Sequence, residues 1–170
     1  MDFKGIIKMG LEEYSEDLDK ALEGLTPEER RFQPGPESHH IDFTVWHMAR
    51  VEDDWVQGFA QATDRIWNRE GWPEKLGLPG RGNGFGFTAE DAAAIQGYDE
   101  GLLMEYYADV RRETLRYLDT LSPEELERCP RPEQRPDYSI GKMFSHIIVE
   151  EAQHVGQVAY LRGLQRGLNK

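Results

Sequence analysis

One pattern, repeated once along the chain, constrains the fold more than any other feature. Leu25-Thr26-Pro27-Glu28-Glu29 is followed 17 residues on by Asp42-Phe43-Thr44-Val45, and Leu121-Ser122-Pro123-Glu124-Glu125 is followed 16 residues on by Asp137-Tyr138-Ser139-Ile140. Each block opens with a capping box and a proline at the first helical position, so each starts a short helix. Long runs with apolar residues at helical spacing flank both blocks: residues 3–23 and 44–68 around the first, 98–120 and 139–166 around the second. The chain thus reads as two related units, each a long helix, a short helix, a connector and a second long helix. Two such hairpins packed together predict an all-α four-helix bundle.

Residues 71–97 join the hairpins as a long loop insert, rich in Gly and Pro and including the run PGRGNGFGF. The insert lacks the Gly-Lys-Ser/Thr of a phosphate loop and follows no strand. It therefore predicts a connector, and a lid over a pocket, rather than a nucleotide site. A length of 170 residues fits a single domain, 1–170, with its own core. The one cysteine, Cys129, excludes an internal disulfide and suits a reducing compartment. With no signal-like start and no apolar run long enough to span a bilayer, the expectation is a cytoplasmic protein. A formal charge of −12, with no local Lys/Arg cluster, argues against nucleic acid and anionic membranes as partners.

The last helix carries the residues with chemistry in them. His146, Glu150 and His154 follow at four-residue steps and share roughly one face. At about 100° per residue, His154 falls inside the arc of Met143, Ile147, Val158 and Leu161, Glu150 lies at its rim, and His146 points further toward solvent. A carboxylate and an imidazole on an apolar face need a neutralising partner. A metal cation is one; a hydrogen-bonded His–Glu pair or an arginine is another. Glu151, three residues before His154, also has workable ligand spacing, and rotation leaves Glu150 and Glu151 both open.

On the second long helix, His47 lies beside the apolar arc of Met48, Val51, Trp55, Phe59, Ala62 and Ile66, and offers a ligand from across the bundle. His39 and His40, adjacent in the connector, are weaker candidates. Counted from the matched caps Thr44 and Ser139, His47 lies about 4–5 Å along its helix, and Glu150 and His154 about 16–22 Å along theirs. The hairpins must be offset for these residues to meet.

The runs VWHMARVEDDW on the second helix and SHIIVEEAQHVGQVAYLRG on the last resemble the DinB-like superfamily of metalloenzymes, including its mycothiol-dependent relatives such as the N-terminal domains of maleylpyruvate isomerases. The resemblance spans nearly the whole chain and implies the same bundle. By position it implies a divalent metal, zinc or nickel, on His47, Glu150 and His154, with His146 on the substrate side. It also implies a low-molecular-weight thiol and an electrophilic small molecule as partners, for S-transfer or thiol-assisted isomerisation.

Two nitrogens and one carboxylate leave a fourth zinc position for water or thiol, and a thiol there is held as thiolate. Hydrolysis by a metal-bound water fits the same ligands, whereas no Gly-x-Ser-x-Gly stretch supports a metal-free hydrolase. Arg50, Arg81 and Arg162 are candidates to meet a substrate carboxylate. The competing expectation is a metal-binding or structural, stress-related bundle acting as a homodimer. For that reading Trp46, turned away from the Trp55 face, marks an exposed aromatic at a subunit interface.

Overall fold

The structure, a computed structural model, describes residues 2–167, and among these every regular element is helical. Helix α1 (Phe3–Leu22) begins under Asp2, whose side chain accepts the Gly5 N–H, and buries Leu11, Tyr14, Leu18 and Ala21. The Thr26 capping box starts α2 (Pro27–Arg30). Helix α3 (Ile41–Asp53) is buried along its whole length and continues into a π-helical segment, Asp54–Ala60. Three short helices follow: α4 (Ile66–Arg69), ahead of the insert, and α5 (Trp72–Leu76) and α6 (Ala89–Ala93) within it. Asp99 caps α7 (Glu100–Thr120), the Ser122 capping box starts α8 (Pro123–Leu126), and Ser139 caps α9 (Ile140–Arg166).

The long helices pack where their apolar faces demand. Helix α1 lies along α9, and α3 packs against both α7 and α9. Gly10 lets α1 and α9 approach, because a Cβ there would come within 2.9 Å of Ile148 Cδ1. Met143, Phe144, Ile147, Val155, Val158 and Leu161 of α9 are all buried, each contributing about 1.5–3 kcal/mol as apolar surface leaves water. No helix among the described residues is long and apolar enough to cross a membrane.

Four expectations need correction. The run 44–68 is not one helix: the π turn advances the phase, and the chain leaves helical geometry after Ala60, with Ala62 at φ 57°. Helix α3 also starts earlier than Thr44. His40 is its cap, with Nδ1 accepting the Phe43 N–H at 3.0 Å. His47 therefore sits seven residues from its cap, about 10 Å along the helix, and the axial offset demanded of the hairpins shrinks.

The insert is not a bare connector, since α5 and α6 form within it, and the chain leading into it is docked. Asp53, at the end of α3, accepts the Ile66 and Trp67 N–H groups at 3.0 and 2.9 Å and so caps α4 from a distance. This docking overturns the reading of Trp46. The ring is fully buried, 6.2 Å from Trp67 and 5.9 Å from Phe87, because the insert covers the face that a bare bundle would leave open.

Candidate metal centre

His47 on α3 meets Glu150 and His154 on α9, and one donor atom from each lies within 4.8 Å of the others. His47 Nε2 is 3.9 Å from Glu150 Oε1, His154 Nε2 is 4.0 Å from the same oxygen, and the two rings meet edge to face at 4.9 Å. The other ring nitrogens fix the tautomers. His47 Nδ1 contacts the Asn83 carbonyl, which only accepts, so Nδ1 carries the proton and Nε2 presents a lone pair. Burial pushes the His47 imidazole down, toward that neutral form. His154 Nδ1 likewise donates to Gln157 Oε1 at 2.9 Å. Two nitrogen lone pairs and a carboxylate oxygen thus face one another with no donor among them.

The Gly-rich run holds this arrangement from outside. Arg50 donates to the Gly82 carbonyl at 2.9 Å, and Asn83 Nδ2 donates to Asp54 Oδ2 at 2.8 Å. Gly84 lies flat on the His47 ring: with φ at 100°, a Cβ there would be 2.7 Å from His47 Nδ1 and 2.9 Å from Phe43 Cζ. His146 Nε2 stands 2.8 Å from Glu150 Oε2, yet off the line of a hydrogen bond, so Oε2 is buried without a hydrogen-bond partner among the described residues. Beside the three residues opens a cleft of about 610 Å³, walled by Val51, Trp55, Phe59 and Tyr138, with Arg65, Asn83, Phe85 and Arg135 at its edge.

Adjacent Glu151 points elsewhere. It is fully buried and accepts the Tyr107 hydroxyl at 3.1 Å. Burial, reinforced by the nearby Glu52 charge, pushes its carboxyl well above the usual range and so favours the neutral acid. Glu52 does the opposite. Burial pushes it up, but Arg111, bonded to both of its oxygens at 3.0 and 2.8 Å, outweighs this and holds it down.

A family model for mycothiol S-transferases matches residues 7–167. The chain belongs to the mycothiol S-transferase family, a DinB-like family. Among solved structures it is similar to one described as a conserved protein from Enterococcus faecalis, with a TM-score of 0.85 at 26% identity, covering 96% of this chain and 97% of that one. Among curated proteins, none matches the chain.

Within this mycothiol S-transferase family member, the other sequence candidates fall away from the cleft. His40 is a helix cap, and His39 is exposed and packs on Phe43 at 4.9 Å. Arg50 is buried beneath the insert, over the Trp67 ring at 4.8 Å. Arg162 donates to the Ala21 and Glu23 carbonyls at 3.2 and 2.6 Å, tying α9 to the end of α1, and Arg81 is exposed. Arg65 and Arg135 stand at the cleft instead. Arg135 sits in a connector, where periodicity carries no directional signal, and Arg65 falls within the run 44–68, whose periodicity predicts continuous helix but which leaves helical geometry after Ala60. The Asn83 carbonyl was equally invisible, since a backbone atom leaves no residue-type signature.

Proposed function

We propose that the chain is a divalent-metal-dependent thiol S-transferase. In this reading zinc or nickel is held by His47, Glu150 and His154, a low-molecular-weight thiol is one substrate, and an electrophilic small molecule is the other. The observation that carries it is the convergence of two imidazole lone pairs on a carboxylate oxygen without an intervening hydrogen-bond donor. Such acceptors gain nothing from one another, and a divalent cation is the partner that satisfies all three. The contacts behind them suit ligands as well, since a metal-binding histidine commonly donates its other N–H to a carbonyl or carboxylate.

When bound, the ion supplies positive charge that favours the deprotonated, nucleophilic form of a thiol. The chain's own groups supply orientation. Asn83 and Gln157 fix the two rings, and the aromatic wall keeps water from the reacting carbon. His146 Nε2, beside Glu150 and open to solvent, receives the thiol proton. In S-transfer a C–S bond forms at the electrophilic carbon, and the leaving group departs with the electron pair of the bond that breaks. Thiol-assisted isomerisation uses the same attack, followed by departure of the sulfur. The four long helices, α1, α3, α7 and α9, are read as a four-helix bundle within one domain, with α1 along α9 and α3 against α7 and α9, so that packing runs between the two related units and not within each as a self-packed hairpin.

Elemental analysis tests the proposal. Wild-type protein incubated with zinc or nickel should retain about one ion per chain, and His154→Ala should lose it. Retention below roughly a tenth of an equivalent in the wild type refutes the metal site. Turnover of mycothiol, bacillithiol or glutathione with an electrophile, abolished by His47→Ala, tests the chemistry.

A second reading, a non-catalytic bundle acting as a homodimer, draws on one observation. Ile6 and Met9 of α1 and Val149, Tyr160 and Leu164 of α9 are exposed apolar residues on two helices that pack together. A monomer by light scattering at micromolar concentration would remove that reading.

A further inference from the structure

The outer half of the cleft has a chemistry that the three converging ligands do not require. The chain is strongly anionic, yet two guanidinium groups line this one cavity. Arg65 is held in place: its Nε donates to Asp54 Oδ1 at 2.7 Å, and its head lies where a Cβ on Gly58 would stand, only 2.5 Å from Arg65 Cζ. A side chain at position 58 would displace the guanidinium from that space. The Nη groups of Arg65 make no hydrogen bond among the described residues, and Asp54 is occupied at both oxygens, by Arg65 and Asn83.

Arg135 packs over Trp55 and Tyr138 at 5.1 and 5.3 Å, and its guanidinium forms no ion pair or hydrogen bond among the described residues. The Trp55 and Tyr138 rings stack on each other at 5.1 Å with 10° between their planes. Across the cleft mouth Phe85 is 90% exposed, although Asn83 Oδ1 holds its backbone N–H at 3.0 Å. A large apolar ring left in water at the mouth of an aromatic-walled cleft lacks an apolar partner.

We propose that this outer cleft is the electrophile subsite, taking a flat conjugated molecule between Phe85 and the Trp55–Tyr138 wall, with a carboxylate held by Arg65 and Arg135. Its assignment to the electrophile rests on the thiol-transfer reading above. The binding geometry itself does not need the metal. Guanidinium–carboxylate hydrogen bonds are charge-assisted and, with two donors in a row, often bidentate. The apolar walls lower the local dielectric around them.

Calorimetry and quenching of tryptophan fluorescence with trans-cinnamate and its neutral counterpart trans-cinnamamide test this, on zinc-loaded and on chelator-treated full-length protein. Cinnamate should bind at least about tenfold more tightly than the amide in both preparations. Arg135→Gln should erase most of that gap, Arg135→Lys should restore part of it, and Phe85→Ala should weaken both ligands alike. Arg135 is exposed, so these variants keep the fold, and unchanged melting temperatures check that. Equal binding of the two ligands, or no binding of cinnamate, overturns the proposal.

A preference that vanishes on chelation also overturns it, because the carboxylate would then sit on the metal. S-methylglutathione binding with the same Arg135 dependence but no Phe85 dependence would assign the cations to the thiol and overturn the electrophile assignment. A chain that holds no metal defeats the transferase reading while leaving the cinnamate measurements on metal-free protein intact.

Discussion

Gly84→Ala tests whether the Gly-rich run is part of the metal centre or only lies near it. The backbone at Gly84 has φ 100°, a conformation L side chains rarely adopt, and the added carbon would lie 2.7 Å from His47 Nδ1 and 2.9 Å from Phe43 Cζ. Strain of roughly 1–2 kcal/mol and overpacking of roughly 1–3 kcal/mol together predict a loss of about 2–5 kcal/mol in urea denaturation of the metal-free protein. His47 and Phe43 are both buried on α3 and stacked on each other at 5.8 Å, so the loop is expected to yield before the helix does.

The loop's retreat takes the Asn83 carbonyl away from His47 Nδ1, and losing such a backing contact costs about 10–100-fold in metal affinity. Competition against a chromophoric chelator measures that loss. Zinc affinity unchanged in a variant that is destabilised as expected would show that the carbonyl does not orient the ring. Stability and affinity both unchanged would show that the loop does not rest on His47 at all.

Glu151→Gln should change stability near pH 5 by less than about 1 kcal/mol, since the buried acid is already neutral. Its folded-state carboxyl titrates above the unfolded one, so wild-type stability is full below the ordinary carboxylate range and declines as pH rises through the folded value. Urea midpoints should show that decline flattened in the glutamine variant. Glu52→Gln strands the Arg111 guanidinium inside the protein and should cost about 3–5 kcal/mol by the same assay. Trp46→Ala empties a fully buried site and should cost about 3–5 kcal/mol, with no change in elution volume on size exclusion, because the ring lies under the insert and not at a surface.

Glu150 and Glu151 show how much of the site was legible. Adjacent residues on a helix differ by about 100°, and that rotation set Glu151 near the middle of the apolar arc and Glu150 at its rim. Burial follows the same order, with Glu151 wholly enclosed and the Glu150 side chain 23% exposed. Periodicity thus already contained the division of labour, but it could not say which location suits a ligand until the position of His47 was known. The four long helices and both capping boxes were legible for a related reason. Each is specified by local contacts, a Ser or Thr oxygen meeting an N–H three residues on, or apolar side chains one turn apart.

What periodicity missed is what depends on distant chain. A π turn is one extra residue per turn with no composition of its own, and here it ends the second long helix at Ala60, eight residues short of the end of the periodic run. Helix α4 docks at the end of α3 because Asp53, buried there, needs donors, and the Ile66 and Trp67 amides and the Tyr106 hydroxyl supply them. Gly58 and Arg65 make the same point within seven residues. Alone, one is a helix-weakening glycine and the other a surface cation, and only the fold reveals that the missing side chain is the space in which the guanidinium lies. A glycine inside a helix, at a conformational cost of up to about 1 kcal/mol, leaves a side-chain volume that another group can fill. Here that group is a guanidinium whose outer donors line the cleft beside the candidate metal ligands.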